Sequence, residues 1–248
     1  MADRYFVSQT IQGERVTLVD SEAHHLARVM RAQPGTEVIL FDGTGGEYPA
    51  RVEQVTRHEV ILSVGGRVEI DREPAVRVTL GVALPKGDRQ RWLIEKGVEL
   101  GVARLVPIET KRGVAQPAAN TLDRLERAVI EAAKQCGRNR LMEIAPPRSW
   151  QEFVATAPSD CTRWVAHPAS AVNTTSAATV SQSDIHQLPA KPATIEIWLA
   201  IGPEGGLTDE EIQQALASGW HAVDLGPRIL RVETAALALA AYCLLGSG

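Results

Sequence analysis

The sequence contains few cysteines and no long apolar run. Its three cysteines, Cys136, Cys161 and Cys243, are odd in number and far apart, which argues against a disulfide framework and against a zinc site with paired ligands. No apolar stretch reaches the roughly 20 residues that a membrane-spanning helix needs. The opening segment MADRYFVSQT carries charge too early for a secretory signal peptide. We therefore expect a cytoplasmic protein with reduced thiols, no membrane partner and no metal.

An overall excess of positive charge is also missing. The net charge of −4 argues at first against a nucleic-acid partner, because backbone phosphates are usually met by surplus Lys and Arg. The charge is uneven, however: between Pro85 and Arg140 there are 12 Lys or Arg against 7 Asp or Glu, net +5, which leaves −9 elsewhere. Two interpretations stay open, namely charged outer faces of helices and phosphate contacts. The segment QCGRNR, directly after a predicted helix, favours phosphate contacts.

The pattern of apolar residues predicts an α/β protein in two parts. The first 70 residues contain short β-branched segments separated by turns, which predict a small barrel with one helix at residues 24–31. After a crossing stretch at residues 65–77, strands alternate with helices, which predicts a largely parallel sheet with helices on its faces. We expect domains at residues 1–72 and 73–248. The Ser-, Thr- and Ala-rich residues 169–192 are expected to form a surface excursion.

One glycine-rich turn follows the predicted strand TIEIWLAIG. We call residues 202–206, GPEGG, the first bend. Thr208 and Glu211 have the spacing of a capping box for the helix that follows. Glycines let the backbone come close to a ligand, although an ordinary turn is the alternative. The spacing matches neither GxGxxG nor a P-loop, so NAD and ATP receive little support.

A second unusual turn lies shortly after the first. Residues 224–231, DLGPRILR, form what we call the second bend, where Gly226 and Pro227 interrupt a strand. We expect Thr234 to cap a helix from Ala235 to Leu245 that is apolar all round and therefore buried, in the core or in a subunit interface. Two such bends favour one shared pocket.

Four segments together resemble a known family. IGPEGGLTDEEI, LGPRILRVETAAL, KGDRQRWLIEKGVELGV and EAAKQCGRNRLMEI resemble the RsmE family of ribosomal RNA small subunit methyltransferases, members of the SPOUT class. The N-terminal HHLARVMRAQPGTEVILFDGTGGEY resembles that family's PUA-like β-barrel, so the likeness runs nearly end to end. The resemblance implies a SPOUT-type knotted, mostly parallel sheet with flanking helices and a small N-terminal PUA-like barrel.

The same resemblance implies an activity. It is the transfer of a methyl group from S-adenosyl-L-methionine to N3 of a uridine in 16S rRNA of the small ribosomal subunit, near the decoding region. The enzyme would be a homodimer whose C-terminal domain forms a trefoil knot, an exception to ordinary chain topology. Two alternatives stay open: methylation of another RNA base or of a ribose, and a ribosome-binding module without catalysis.

Candidate site residues follow from the resemblance, position by position. For the cofactor it implies His167, Ile201, Gly202, Gly205, Gly206, Leu225, Gly226, Leu230, Arg231 and Val232. Val232 is a departure, since many relatives are expected to have a small hydroxyl residue there, and we expect only its backbone to matter. Backbone groups and apolar walls suit an adenine ring.

Catalysis and RNA binding add further candidates. We expect Arg228 and Arg231 to stabilise negative charge on the uracil, with Glu233 or solvent accepting its N3 proton. Phosphate binding by these arginines and dipole capping by Glu233 are the alternatives. For RNA the candidates are Arg28 and Arg31, expected on one helical face, together with Lys86, Arg138 and Arg140. A charged, solvated surface explains these basic residues as well.

Overall fold

The structure is a computed structural model that describes residues 3–113, 119–168 and 195–245. The predicted excursion at residues 169–192 lies outside the described residues. The chain divides into two compact units: unit 1 comprises Met1–Glu73 and Ile130–Leu141, and unit 2 comprises Pro74–Val129 and Met142–Gly248. The domain limits predicted from the sequence, 1–72 and 73–248, stay a prediction.

Unit 1 contains a six-stranded sheet that curls into a half-barrel, in the part of the chain for which the sequence predicts a small β-barrel. Its strands are β1 (Arg4–Phe6), β2 (Arg15–Val19), β3 (Glu37–Phe41), β4 (Gly46–Val55), β5 (Glu59–Val64) and β6 (Val68–Glu69). The order is β1-β3-β4-β5-β2, with β6 beside β4, and every pair is antiparallel except β1–β3. Alternation along β5 buries Val60, Leu62 and Val64 on one face, as expected of a half-buried strand.

The helix of unit 1 differs from its prediction at both ends. Helix α1 (Asp20–His24) continues as a π-helical segment, His25–Val29, in which the Met30 N–H donates to the His25 carbonyl at 3.0 Å. The prediction of residues 24–31 was wrong because Arg31 adopts a left-handed backbone, φ 54°, which lies outside the helix. Arg28 and Arg31 therefore do not share a helical face, although both are exposed.

Unit 2 is built on the predicted parallel sheet. Its strands are β7 (Arg77–Val82), β8 (Arg104–Glu109), β9 (Glu143–Ile144), β10 (Arg148–Ser149), β11 (Thr162–Ala166), β12 (Glu196–Ile201) and β13 (His221–Val223). The order is β10-β8-β7-β12-β11-β13, with β9 beside β8, and all of these pairs are parallel. Strands buried on both faces explain the apolar runs in the sequence, such as Ile197–Ile201.

Five helices accompany this sheet in the described chain. They are α2 (Asp88–Leu100), α3 (Ala119–Cys136), whose last turns belong to unit 1, α4 (Trp150–Thr156), α5 (Asp209–Ala217) and α6 (Val232–Leu244). Helix α6 packs against α2, β7 and β12, which confirms that it is buried. The described helices include none with the length and apolarity needed to cross a membrane.

The predicted start of α6 was wrong. The helix begins at Val232, and Arg231, in extended backbone, is its N-cap. The Ala235 N–H already donates to the Arg231 carbonyl at 2.9 Å, so Thr234 lies inside the first turn. The second bend therefore leads directly into the helix.

Candidate functional site

Three neighbouring strands of unit 2 end at the same level. Ala166, the last residue of β11, pairs in register with Ile201 at the end of β12 and with Val223 at the end of β13. The segments that follow these strands therefore begin side by side at one edge of the sheet. In parallel α/β sheets this carboxyl edge is where ligands bind.

The three segments enclose one cavity of about 290 Å³. It is lined by residues 166–168, 201–207, 224–226 and 228–230, with Val232 and Ala235 from α6. The lining contains every residue predicted for the cofactor site except Arg231. Gly205 and Gly226 therefore share a cavity, as the sequence predicts. A larger concavity, about 420 Å³, lies on strands β3, β4 and β5 of unit 1 and contains none of the predicted site residues.

Three positions in the bends require glycine, and the structural reason differs among them. Gly206 and Gly226 adopt φ of 71° and 103°, which L side chains rarely adopt, and an added Cβ would meet nothing within 4 Å at either position. At Gly202 an added Cβ would lie 2.7 Å from Cγ of Leu207. Gly206 and Gly226 thus leave open space beside the backbone, while Gly202 permits close packing.

The first bend is anchored by the N-terminus of α5. The predicted capping box is confirmed: Thr208 Oγ1 accepts the Glu211 N–H at 3.3 Å, and Glu211 Oε2 accepts the Thr208 N–H at 2.7 Å. Glu211, only 3% exposed, also accepts the Lys111 N–H on Oε1 at 2.7 Å. Arg112 Nη1 donates to the Gly205 carbonyl at 3.1 Å. The loop after β8 is thus tied to the first bend, which the sequence did not indicate.

His167 lies in the cavity wall as a buried histidine. Its backbone N–H donates to the Val223 carbonyl at 3.0 Å. Burial removes water from the imidazole and lowers the pKa of His167, against the opposing influence of Asp209 and Asp224. The side chain is therefore neutral at physiological pH and offers one donor and one acceptor.

Two acidic residues of the lining were missed from the sequence. Glu204 lies within the first bend, and Asp224, directly after β13, accepts the Gly226 N–H on Oδ1 at 2.9 Å. The available signals were a charged residue inside a glycine turn and a carboxylate at a strand end. No group of three or more His, Cys, Asp or Glu among the described residues is arranged to hold a metal ion.

The predicted catalytic residues occupy different surroundings. Arg228 is exposed and lines the cavity, whereas Arg231 is exposed but does not line it. Glu233 is 5% exposed and also lies outside the lining. Within the described residues its Oε2 accepts no hydrogen bond, and Arg89 Nη1 lies 3.6 Å away. The structure therefore brings only Arg228 of the three to the cavity.

The residues predicted to contact RNA also differ from one another in exposure. Lys86, Arg28, Arg31 and Arg140 are exposed. Arg138 is not: its Nε and Nη2 donate to the two carboxylate oxygens of Glu73 at 2.8 and 2.6 Å, and its side chain is 6% exposed. The prediction that Arg138 and Arg140 form an exposed patch was wrong, because Arg138 is buried within unit 1 in this bidentate ion pair with Glu73.

Comparison with known proteins decides the family. Residues 72–244 match the family described as RNA methyltransferase domain, and residues 13–65 match the RNA methyltransferase PUA domain. The ribosomal RNA small subunit methyltransferase E of Synechocystis sp. is 37% identical over 89% of this chain and 69% of the relative. This chain belongs to the ribosomal RNA small subunit methyltransferase E family. The two matched segments correspond to the parallel-sheet part and the half-barrel part of the chain.

Solved structures agree with this membership. The ribosomal RNA small subunit methyltransferase E of Neisseria gonorrhoeae, bound to S-adenosyl methionine, has a TM-score of 0.83 at 31% identity and covers 98% of this chain and 96% of its own. A Legionella pneumophila protein in complex with the cofactor SAM has a TM-score of 0.84 at 29% identity, with 98% and 97% covered. Members of this family thus share the described fold.

Proposed function

We propose that this member of the methyltransferase E family methylates N3 of a uridine in 16S rRNA of the small ribosomal subunit, near the decoding region, using S-adenosyl-L-methionine. The observation that carries the proposal is the single cavity between the two glycine bends. Two similar structures contain S-adenosylmethionine, which supports the same ligand here. The family description supports RNA as the methyl acceptor.

The lining has the chemistry that this cofactor needs. Leu225, Leu230 and Val232 supply apolar surface for an adenine ring, and Gly206 and Gly226 leave open space beside the backbone. The carboxylates of Glu204 and Asp224 suit a positively charged sulfonium. The volume of about 290 Å³ lies near the lower end of the range of small-ligand pockets, about 300–1,000 Å³.

The protein contributes two things to the proposed reaction: the orientation of the base and the removal of its N3 proton. When bound, the cofactor supplies an electrophilic methyl group, so the protein must orient the base and ease the loss of its N3 proton. Arg228, exposed at the cavity, is placed to stabilise negative charge on the uracil oxygens, and a guanidinium cannot itself act as the base at neutral pH. Arg231, outside the lining, is better placed for an RNA phosphate.

The proton acceptor remains one of two groups. Glu233 is buried beside Arg89 and outside the lining, so it reaches the base only if the start of α6 moves. Solvent is the alternative, and the exposure of Arg228 shows that water reaches this side of the cavity. His167, neutral because its pKa is lowered, is placed to contact the ligand rather than to carry charge.

RNA binding and assembly complete the proposal. Four of the predicted RNA-binding side chains are exposed and can therefore contact phosphates: Arg28, Arg31, Lys86 and Arg140. We propose a cytoplasmic homodimer with a trefoil knot in its C-terminal part. Exposed apolar side chains in unit 2, among them Trp92 at 45% and Ile229 at 95%, support an interface with a second copy.

The test is mass spectrometry of rRNA nucleosides from a strain that lacks the gene. We expect 3-methyluridine to disappear from 16S rRNA and to return with the wild-type gene. Persistence of 3-methyluridine overturns the assignment, and loss of a different methylated nucleoside identifies another target. A module without catalysis would change no nucleoside and would release no heat when titrated with S-adenosylmethionine.

A further inference from the structure

One arginine of α2 lies close to two acidic residues, one in the first bend and one in the first turn of α6. Arg89, in the first turn of α2, places Nη2 at 3.1 Å from Oε1 of Glu204 and Nη1 at 3.6 Å from Oε2 of Glu233. Glu204 belongs to the first bend and lines the cavity, while Glu233 is two residues past the second bend. The two nitrogens of one guanidinium thus face one residue of the cavity lining, Glu204, and one residue of the helix that follows the second bend, Glu233.

The two contacts differ in burial. The Glu204 side chain is 43% exposed, so that pair alone contributes little to stability. The Glu233 side chain is 7% exposed, and within the described residues its Oε2 has no hydrogen bond and lies 3.6 Å from the Arg89 guanidinium. Removing a partner from a buried carboxylate is strongly unfavourable, because the remaining charge has neither water nor a counter-charge.

The backbone around Arg89 is fixed by packing. Helix α2 packs against α6, and Leu93, Ile94 and Val98 of α2 are fully buried. The guanidinium therefore extends from a packed helix to one residue of the first bend, Glu204, and to one residue in the first turn of α6, Glu233. A planar guanidinium can hold two carboxylates on separate nitrogens, whereas a lysine ammonium is a single point of charge.

We propose that Arg89 is a positioning residue that holds the first bend and the start of α6 at the separation the cofactor cavity requires. It acts through Glu204 and Glu233 and does not line the cavity itself. The inference rests on the proposed function, since it assumes that the cavity binds S-adenosylmethionine. It also gives a role to one arginine of residues 85–140, where Lys and Arg are in excess. For that excess the sequence left two interpretations open, charged outer faces of helices and phosphate contacts.

The test is calorimetric titration of the full chain with S-adenosylmethionine. Arg89→Gln should weaken binding by about tenfold or more, equivalent to about 1.4 kcal/mol, and Arg89→Lys should fall between it and wild type. The matched control is Lys96→Gln on the same helix, which removes an exposed pair with Glu99 and should bind as wild type. The turnover number at saturating cofactor should change less than the cofactor KM, because a positioning role acts on binding.

A double variant separates positioning from stability. Arg89→Gln with Glu233→Gln removes the unpaired buried charge, so the melting temperature should return towards wild type while cofactor affinity stays low. If affinity returns together with stability, Arg89 is only a stabilising residue and the inference is wrong. Arg89→Gln that binds as tightly as wild type also overturns it and leaves the proposed function intact. Absence of binding by the wild-type protein overturns both.

Discussion

The buried carboxylate of Glu211 provides the sharpest prediction of stability at the site. Its two oxygens each accept a backbone N–H at 2.7 Å, from Thr208 at the start of α5 and from Lys111 in the loop after β8. Glu211→Gln keeps one acceptor oxygen but places an amide N–H₂ where the other oxygen stood. One of the two backbone donors then faces another donor in a site that is 3% exposed.

The expected cost follows from this loss. A hydrogen bond to a charged group contributes about 1.5–3 kcal/mol, and an unsatisfied buried donor costs about 1–3 kcal/mol. Because these effects overlap, we expect Glu211→Gln to lower the free energy of unfolding by about 2–3 kcal/mol, which corresponds to a decrease in melting temperature of about 4–12 °C for a domain of this size. Affinity for S-adenosylmethionine should fall as well, since Thr208 closely follows the first bend.

The assay is differential scanning calorimetry, followed by cofactor titration at a temperature where all variants are folded. Glu210→Gln is the matched control, because Glu210 is the neighbouring residue and forms an exposed pair with Lys111. It should melt and bind as wild type. Equal melting temperatures for Glu211→Gln and wild type would refute the argument that these two hydrogen bonds fix the bend.

Three further predictions concern single positions. Gly226→Ala, at φ 103°, should weaken cofactor binding about 5–30-fold through about 1–2 kcal/mol of backbone strain, whereas Gly35→Ala, at φ 95° in unit 1, should bind normally in calorimetry. Arg140→Glu should reduce the salt slope of RNA binding in filter assays, while Arg138→Glu should mainly lower the melting temperature. In denaturant titrations, wild type should lose more stability than His167→Asn when the pH falls from 7 to about 5.5. Burial holds the pKa of His167 below its ordinary value, so the unfolded chain gains the proton first.

The sequence predicted the elements that bring the site together. Apolar runs placed β11 and β12, and the Thr208 and Glu211 spacing placed the start of α5 correctly. Each of these is a local property, decided by neighbouring residues and by burial on both faces of a strand. The meeting of the two bends also followed, since carboxyl ends of parallel strands share an edge.

The parts that the sequence did not predict depend on distant residues. Arg138 resembled a surface cation, and its pairing with Glu73 joins positions 65 residues apart. The link from Lys111 to Glu211 spans 100 residues. The early start of α6 and the π-helical segment depend on backbone hydrogen bonds that residue preferences do not reveal. The chain's resemblance to a family supplied the cofactor, which spacing alone left undecided.

The most direct measurement for the central claim is a crystal structure of this chain grown with S-adenosylmethionine. We expect ligand density between the first and second bends, in contact with backbone atoms near Gly206 and Gly226 and with the apolar wall at Leu225. Density at a different place, or an empty cavity at saturating ligand, would contradict it.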